Sequence, residues 1–282
     1  MTPAIDVDPH LDEALYGDDR KWRNAPTAVK AERQALADIK RLRRSCLPDA
    51  GQLADELLIC RPAHRCYYAP CAMCSRASQR AVTFATLDLF RDVPTKARVE
   101  PVRICIVPPD ISAPMGELST IDFDHLAATV QNALEASGAV LFAVLGLDIS
   151  LNDERQKGLG LGWNPHYHGF ALTNDAPHLL RVLQAAYPPS VYVHAPIDLG
   201  SYDRSVYATS YAFKPVPYRR VSYFDANHYP YPCWNTRHTS LKAREHVEFL
   251  LHARELGFAR RLILHRVAVT NSNGFLTMKK HE

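Results

Sequence analysis

The sequence of 282 residues lacks several features that would each place it in a familiar class. It contains no Gly-x₄-Gly-Lys-Ser/Thr loop, so we expect no fused helicase. It shows no signal peptide and no hydrophobic run long enough to cross a bilayer, which predicts a cytoplasmic protein that does not engage a membrane. It has no internal repeat and no long low-complexity stretch, so a solenoid or a disordered chain is not expected. With 47% hydrophobic residues it can bury one large core or two small ones.

Strong charge of one sign is also missing, since the net charge is only +3. The distribution is more informative, because residues 1–19 contain six acids and no Lys or Arg, whereas residues 20–44 contain nine basic residues. A basic helix of this kind suits contact with phosphates, although a merely solvated helix face is an equal alternative. The candidate DNA-binding residues of this segment are Lys40, Arg41, Arg43 and Arg44.

A second basic region extends from Arg219 and Arg220 to Arg266 and is interleaved with aromatic residues. Rings placed among cations favour stacking and backbone tracking of single-stranded nucleic acid. Alternatively, the rings pack within proline-rich loops and have no role in binding. The aromatic residues concerned are Tyr218, Tyr223, Phe224, Tyr229, Tyr231 and Trp234.

Four of the seven cysteines fall within fifteen residues, at Cys60, Cys66, Cys71 and Cys74. One Cys-x-x-Cys pair with two nearby partners predicts a structural Zn²⁺ site of four thiolates. Disulfides are the alternative, but the cytosol expected above is reducing and therefore favours metal. His64 could replace Cys60 as a ligand. The scattered Cys46, Cys105 and Cys233 are interpreted as ordinary thiols, with Cys105 buried in a strand.

A His-x-His pair, His166 and His168, lies in the segment Trp163–Leu172, which we interpret as a strand. Side chains alternate along a strand, so the two imidazoles point to one face and form half of a divalent-metal site. Asp148 interrupts an apolar strand just upstream. Burying a carboxylate there is costly unless it is paired or bound to metal, so Asp148 is the candidate third ligand. The alternative is that Asp148 caps the following turn.

Two tyrosines and a lysine follow on a segment that predicts a helix over residues 207–214, ended by Pro215. Tyr207, Tyr211 and Lys214 are spaced to share one helix face. Half-buried packing residues would show the same spacing, so the tyrosines alone do not decide between packing and chemistry.

The ordered set of acid, His-x-His and Tyr-x-x-x-Tyr-x-x-Lys resembles the HUH single-strand DNA endonucleases over roughly residues 97–214. The spacing is similar to the two-tyrosine branch, which contains rolling-circle replication initiators of small phages and related transposases. Many plasmid initiators of this superfamily carry Glu where this chain has Asp148.

The resemblance implies sequence-specific nicking and rejoining of single-stranded DNA through a 5′-phosphotyrosine, with Mg²⁺ or Mn²⁺ held by Asp148, His166 and His168. It implies Tyr211 as the first nucleophile, Tyr207 as the second and Lys214 as an assisting cation. An origin hairpin and a host helicase would be the partners. A two-tyrosine transposase and a non-catalytic, zinc-bearing DNA-binding regulator stay open as alternatives. A cupin-type oxygenase is disfavoured because no Glu follows the His-x-His pair closely, and a zinc deaminase because no His-x-Glu precedes the cysteines.

The expected fold is α+β, with elements in the order β-α-β-β-α-β-α. The strand and helix segments are 99–107, 122–136, 138–149, 163–172, 176–186, 190–197 and 207–214. The first six match the split β-α-β order of a ferredoxin-like antiparallel sheet flanked by helices, preceded here by an N-terminal zinc-binding segment. The predicted organisation is a basic helical region (1–50), the zinc-binding segment (51–96), an HUH nuclease core (97–220) and a basic, aromatic extension (221–282).

Overall fold

The computed structural model describes residues 22, 26–61, 64–91, 93, 99–191, 193–228, 233–272 and 275–281. The acidic stretch 1–19 and the aromatic residues Tyr229 and Tyr231 lie outside the described residues. None of the helices in the described ranges is long and apolar enough to cross a membrane.

The helices begin at residues whose side chains suit helix starts. Thr27, Asp122, Asp175 and Ser205 each accept a hydrogen bond from a backbone N–H in the first turn of the helix that follows, which satisfies one of the donors that a helix start leaves open. In chain order the helices are α1 (Ala28–Arg43), α2 (Ala50–Leu58), α3 (Ala72–Arg91), α4 (Phe123–Ser137), α5 (Ala176–Ala186), α6 (Val206–Ala212) and α7 (Ala243–Leu256).

The strands form one large sheet and one separate hairpin. In chain order they are β1 (Glu100–Ile106), β2 (Ala113–Pro114), β3 (Val140–Asp153), β4 (Leu161–Thr173), β5 (Ile197–Ser201), β6 (Arg219–Asp225), β7 (Cys233–Thr239), β8 (Leu262–His265), β9 (Val267–Ser272) and β10 (Phe275–Lys280). The sheet order is β5-β1-β4-β3-β6-β7, with β2 added on β4 and β8 added on β3, while β9 and β10 pair with each other. All pairs are antiparallel except β3 with β6.

The structure is a mixed α+β fold with a mainly antiparallel sheet flanked by helices, as the sequence predicts. The predicted element order over residues 99–214 is present, apart from the additional two-residue β2. One predicted strand, 190–197, is wrong because strand β5 begins only at Ile197. Pro188, Pro189 and Pro196 lack backbone donors, and Val191 is 83% exposed, so this segment offers little to a sheet.

The central strands β3 and β4 are buried on both faces, and alternate residues separate two cores. Leu147 and Tyr167 belong to the core that contains α4 and α5. Val144 and Phe170 belong to the second core, to which α3 contributes Val82. Each such side chain contributes roughly 1.5–3 kcal/mol when it is fully buried. The helix that follows the cysteine segment therefore packs directly on the sheet.

A candidate metal centre beneath a tyrosine helix

Strand register brings the three predicted metal ligands together on one face of the sheet. Asp148 of β3 is the register partner of His166 of β4, and His168 lies two residues further along β4. One ligand atom from each of the three side chains lies within 4.8 Å of the others. We call the sheet face that carries these three residues the site face.

The carboxylate and the first imidazole are in direct contact. The Oδ2 atom of Asp148 lies 2.8 Å from Nε2 of His166 and 4.0 Å from Nε2 of His168. The Nδ1 atom of His166 lies 3.2 Å from the carbonyl oxygen of Asn164, to which it donates a hydrogen bond that orients the ring. Such support of the other ring nitrogen is usual for metal-binding histidines.

Electrostatics shift the pKa values of two of the three candidate ligands, Asp148 and His168. Burial alone would raise the pKa of Asp148, but His166 and Lys214 outweigh it and the pKa lies below its ordinary value. Burial, together with repulsion from His166, lowers the pKa of His168 to about 3. At neutral pH the site therefore presents one carboxylate and a neutral imidazole at His168.

Lys214 does not lie on the tyrosine helix, so the prediction of a helical stripe that includes it was wrong. Helix α6 ends at Ala212, and Lys214 follows outside it. Lys214 precedes Pro215, and a residue before proline is disfavoured in the helical conformation. From this position its buried ammonium forms an ion pair with Asp148. Burial would lower the pKa of Lys214, but Asp148 and Tyr211 raise it above its ordinary value, so the side chain is charged.

Of the two tyrosines, Tyr211 faces the centre. Its ring contacts the ring of His168 at 5.3 Å between centroids, and the ammonium of Lys214 lies 4.4 Å from its centroid. Tyr207 lies four residues earlier on α6 and is 54% exposed. Both phenols thus belong to one side of a short helix, and Tyr211 is in contact with the metal-ligand set.

Two residues that hold this helix in place were not identified from the sequence. Gly146, the register partner of His168, lies under the end of α6, where an added Cβ would be 2.3 Å from the carbonyl oxygen of Ala212. Gln79 of α3 donates a 2.8 Å hydrogen bond from Nε2 to the carbonyl of Ser210. A glycine within an apolar strand can signal such close approach, whereas nothing in the local sequence marks Gln79.

The basic residues predicted to bind DNA divide into different groups. Arg219 is buried and its guanidinium is held by Asp153 and Glu245, so its assignment to DNA binding was wrong. Arg220 is partly exposed.

On α1, Arg41 is 2.7 Å from Asp38 and Arg43 is 3.0 Å from Asp55. Lys40 and, just past the helix end, Arg44 are exposed. Ion pairs therefore occupy part of the predicted basic segment.

The four predicted cysteines form a second group that could hold a metal ion. The sulfurs of Cys60 and Cys74, and those of Cys66 and Cys74, are 3.7 Å apart, and those of Cys71 and Cys60 are 3.5 Å apart. A tetrahedral site with Zn–S bonds of about 2.3 Å requires roughly 3.8 Å between sulfurs, whereas a disulfide requires about 2.05 Å. The spacing therefore fits zinc and not disulfides.

The alternative ligand His64 is exposed and is not part of this sulfur group. Hydrogen bonds from Cys66, Cys71 and Cys74 lower the pKa of Cys60. Cys71 and Cys74 lie at the start of α3. The cluster is thereby joined to the helix that carries Gln79.

Comparisons with protein-family models, with curated proteins and with solved structures found no match to this chain.

Proposed function

We propose that this protein is a divalent-metal-dependent endonuclease that cuts and rejoins single-stranded DNA through a covalent phosphotyrosine, as an initiator of rolling-circle replication. The observation that carries the proposal is the arrangement of Asp148, His166 and His168 with Tyr211 against His168. The sheet order β5-β1-β4-β3 supports it, because this is the strand order of a ferredoxin-like sheet.

The ligand set fits a divalent first-row ion. Asp148, His166 and His168 would hold it, and the donors suit Mn²⁺, which accepts imidazole more readily than the oxygen-preferring Mg²⁺. The Oδ2 atom of Asp148 is buried and contacts both Nε2 of His166 and the ammonium of Lys214. When bound, the ion would neutralise charge on a non-bridging phosphate oxygen.

Tyr211 is the proposed nucleophile. Its phenolic oxygen attacks phosphorus and the bond from phosphorus to the 3′ oxygen breaks. The departing 3′ oxygen takes up a proton in place of the one that the phenol has lost, and the products are a 5′-phosphotyrosine and a 3′-hydroxyl. A phenol with an ordinary pKa near 10 needs help to lose its proton. The charged ammonium of Lys214, close to the Tyr211 ring, stabilises the phenolate. The reverse attack by the 3′-hydroxyl rejoins the strand without another energy source.

Tyr207 is the proposed second nucleophile, because it occupies the preceding turn of the same helix and is exposed. A second phenol could attack a newly formed junction while Tyr211 still holds the first strand. A two-tyrosine transposase would use the same two steps on transposon ends. The zinc that the four cysteines would hold is assigned a structural role.

One observation favours a second hypothesis, in which the protein is a non-catalytic, zinc-bearing DNA-binding regulator. The ion pair between Lys214 and Asp148 already compensates the buried carboxylate without any metal. In that reading the tyrosines only pack. The two readings differ in whether a covalent protein–DNA product forms.

The test is an adduct assay on a supercoiled plasmid that carries DNA adjoining the gene, in Mn²⁺. We expect nicking and a protein linked to the new 5′ end. His166→Ala and His168→Ala should abolish both while single-stranded DNA binding persists, and His125→Ala, an exposed histidine on α4, should behave as wild type. Cleavage by both site variants would refute the metal assignment, and binding without any adduct would favour the regulator.

A further inference from the structure

The site face continues beyond the metal centre onto the hairpin formed by β6 and β7. Asn152 lies four residues after Asp148 on β3 and therefore faces the same way. Asn152 is the register partner of Arg220 on β6, and Arg220 is the register partner of His238 on β7. Paired residues share a face of a sheet. The even-numbered residues of this hairpin thus point to the side that carries the ligands.

Helices cover the part of the site face formed by β3 and β4 but not the part formed by the β6–β7 hairpin. Helices α3 and α6 lie on β3 and β4, whereas the hairpin leaves large rings exposed, with Phe224 at 54% and Trp234 at 44%. These two residues are register partners with centroids 5.8 Å apart. Nearer to the metal centre, Tyr218 and His238 stack at 5.2 Å and 10°. We call Tyr218, Arg220, Phe224, Trp234 and His238 the aromatic platform.

The cation of the platform is Arg220, which lies between the two ring pairs. Lys157 lies 5.6 Å from the ring of Trp234 and forms a 3.0 Å ion pair with Glu154. Of the acids near this hairpin, Asp153 and Glu245 are directed to the opposite face, where they hold Arg219. Exposed rings beside cations suit a ligand that has both planar rings and negative charge.

We propose that the aromatic platform binds unpaired nucleotides of the single DNA strand that leads to the scissile phosphate. The inference rests on the proposed function, because it takes its substrate from the metal centre on the same face. Single-stranded DNA offers unstacked bases to the rings and phosphates to Arg220. Duplex DNA hides its bases and would lose the stacking contacts.

The outer ring pair of the platform, Phe224 and Trp234, is far enough from the chemistry to act on binding alone. Asn152, the register partner of Arg220, lies four residues after Asp148 on β3, and Phe224 lies four residues after Arg220 on β6. At roughly 3.3 Å per residue, the outer ring pair is about 26 Å from Asp148 along the strands. The strand would therefore be held several nucleotides from the cut, which fixes its position without contact with the reacting atoms.

The test measures affinity for a fluorescent single-stranded oligonucleotide by anisotropy, with the metal-binding step removed by chelation mild enough to leave zinc in place. We expect Phe224→Ala with Trp234→Ala to weaken binding roughly tenfold or more, with little change for the corresponding duplex. The matched controls are Tyr223→Ala and Arg237→Ala, which remove a ring and a cation from the opposite face of the same hairpin. Both controls should bind as wild type.

Stepwise shortening of the oligonucleotide on each side of the nick adds an independent readout. Wild-type protein should lose affinity when one flank becomes too short to reach the rings, and the double variant should be insensitive to that loss. Unchanged affinity of the double variant, or equal losses in the controls, would overturn the platform. So would a dimer in sedimentation that the double variant abolishes without any effect on DNA binding, because the rings would then contact a second copy.

Failure of the platform and failure of the proposed function give different results. The binding assay needs no cleavage, so the platform can hold in a protein that forms no covalent adduct. Conversely, the wild-type protein can form an adduct while the platform variants bind normally.

Discussion

Gly146 lies where the tyrosine helix meets the strand that carries Asp148. A Cβ at this position would be 2.3 Å from the carbonyl oxygen of Ala212 and 2.9 Å from the ring of Phe213. The absence of a side chain therefore allows the end of α6 to approach β3 directly, beside the register partner His168.

We expect Gly146→Ala to displace the end of α6, because the carbonyl of Ala212 cannot yield to a Cβ at that distance. The free energy of unfolding should fall by about 1–3 kcal/mol, as for other overpacked core positions, and adduct formation should fall more than DNA binding. Urea denaturation and the adduct assay measure the two effects. The control is Gly51→Ala on α2, where a Cβ meets nothing within 4 Å; it should be neutral or stabilising by about 0.5–1 kcal/mol. A Gly146→Ala protein with wild-type stability and activity would contradict the close approach.

His252 on α7 is a buried histidine away from the metal centre. Both ring nitrogens lack hydrogen-bond partners within the described residues, and its ring packs 4.9 Å from that of Phe123. Burial, with a smaller effect from Arg260, lowers its pKa from 6.5 to about 4. Between these pH values His252 is protonated in the unfolded chain but neutral in the folded protein. The free energy of unfolding therefore decreases as pH falls from about 6.5 to about 4.

We therefore expect the wild-type protein to lose up to about 3 kcal/mol of stability from this group over that range. His252→Leu should remove this part of the pH dependence and leave the part due to His168 and His265, whose pKa values burial also lowers. His125→Leu, which removes an exposed histidine, should leave the dependence unchanged. Urea denaturation at several pH values between 4 and 7 measures both. Equal slopes for wild type and His252→Leu would show that this histidine is not the source.

At the residue scale, strand alternation was sufficient to predict that His166 and His168 share a face, and an acid in an apolar strand was sufficient to propose Asp148. The division between Arg219 and Arg220 could not be predicted, because it depends on the buried acids Asp153 and Glu245, which come from a strand and a helix distant in sequence. A pair of adjacent arginines shows no local sign of which one faces inward.

At the scale of elements, local signals determined the accuracy of the predictions. The helices predicted over 122–136 and 176–186 are confirmed as α4 and α5, which have side-chain caps and apolar stripes. The strand predicted over 190–197 was wrong because the pairing of β5 with β1 depends on long-range contacts. The tyrosine helix was predicted too long, since the residue before Pro215 resists the helical conformation.

The two tyrosines of α6 should be separable by substitution with phenylalanine, which keeps the ring and removes the oxygen. Because Tyr211 contacts His168 and Lys214, Tyr211→Phe should reduce initial cleavage roughly a thousandfold or more. Tyr207→Phe should still cleave but fail at termination or second-strand transfer. The double variant should form no adduct.

Denaturing gels of a 3′-labelled oligonucleotide show the adduct as a shifted band, because the label stays on the 5′-phosphate side of the nick. Tyr223→Phe, on the opposite face of the β6–β7 hairpin, serves as the control for loss of a phenol oxygen. A reversed pattern would exchange the roles of Tyr207 and Tyr211. An adduct that persists in the double variant would remove both from the mechanism.

At the scale of the whole molecule, the cysteine cluster and the metal centre are connected through α3. The cluster lies at the start of this helix, and the helix body packs on β3 and β4 and caps the end of α6 through Gln79. The link could not be predicted from sequence, because Gln79 and Ser210 are 131 residues apart. The cysteine spacing predicted a metal site but gave no indication of what the site supports.

Loss of zinc should therefore affect both stability and catalysis. The purified protein should contain about one zinc per chain, kept under chelation that removes the more weakly held Mn²⁺. Cys74→Ser should lower zinc content and cost several kcal/mol of stability, as structural zinc sites contribute directly to folding. With the start of α3 loosened, Gln79 no longer holds α6, so adduct formation should fall even where the protein remains folded at low temperature.

Metal analysis, thermal denaturation and the adduct assay on the same preparations test this connection. Electron paramagnetic resonance of bound Mn²⁺ reports on the second metal centre, formed by Asp148, His166 and His168, independently of the cysteine cluster. Cys46→Ser, which changes an exposed thiol outside the cluster, is the matched control and should retain zinc, stability and activity. Reduced, active wild-type protein without zinc would refute the site. A folded Cys74→Ser protein that lacks zinc but forms adducts at the wild-type rate would leave zinc a role in stability alone, since the position of the tyrosine helix would then not depend on the start of α3.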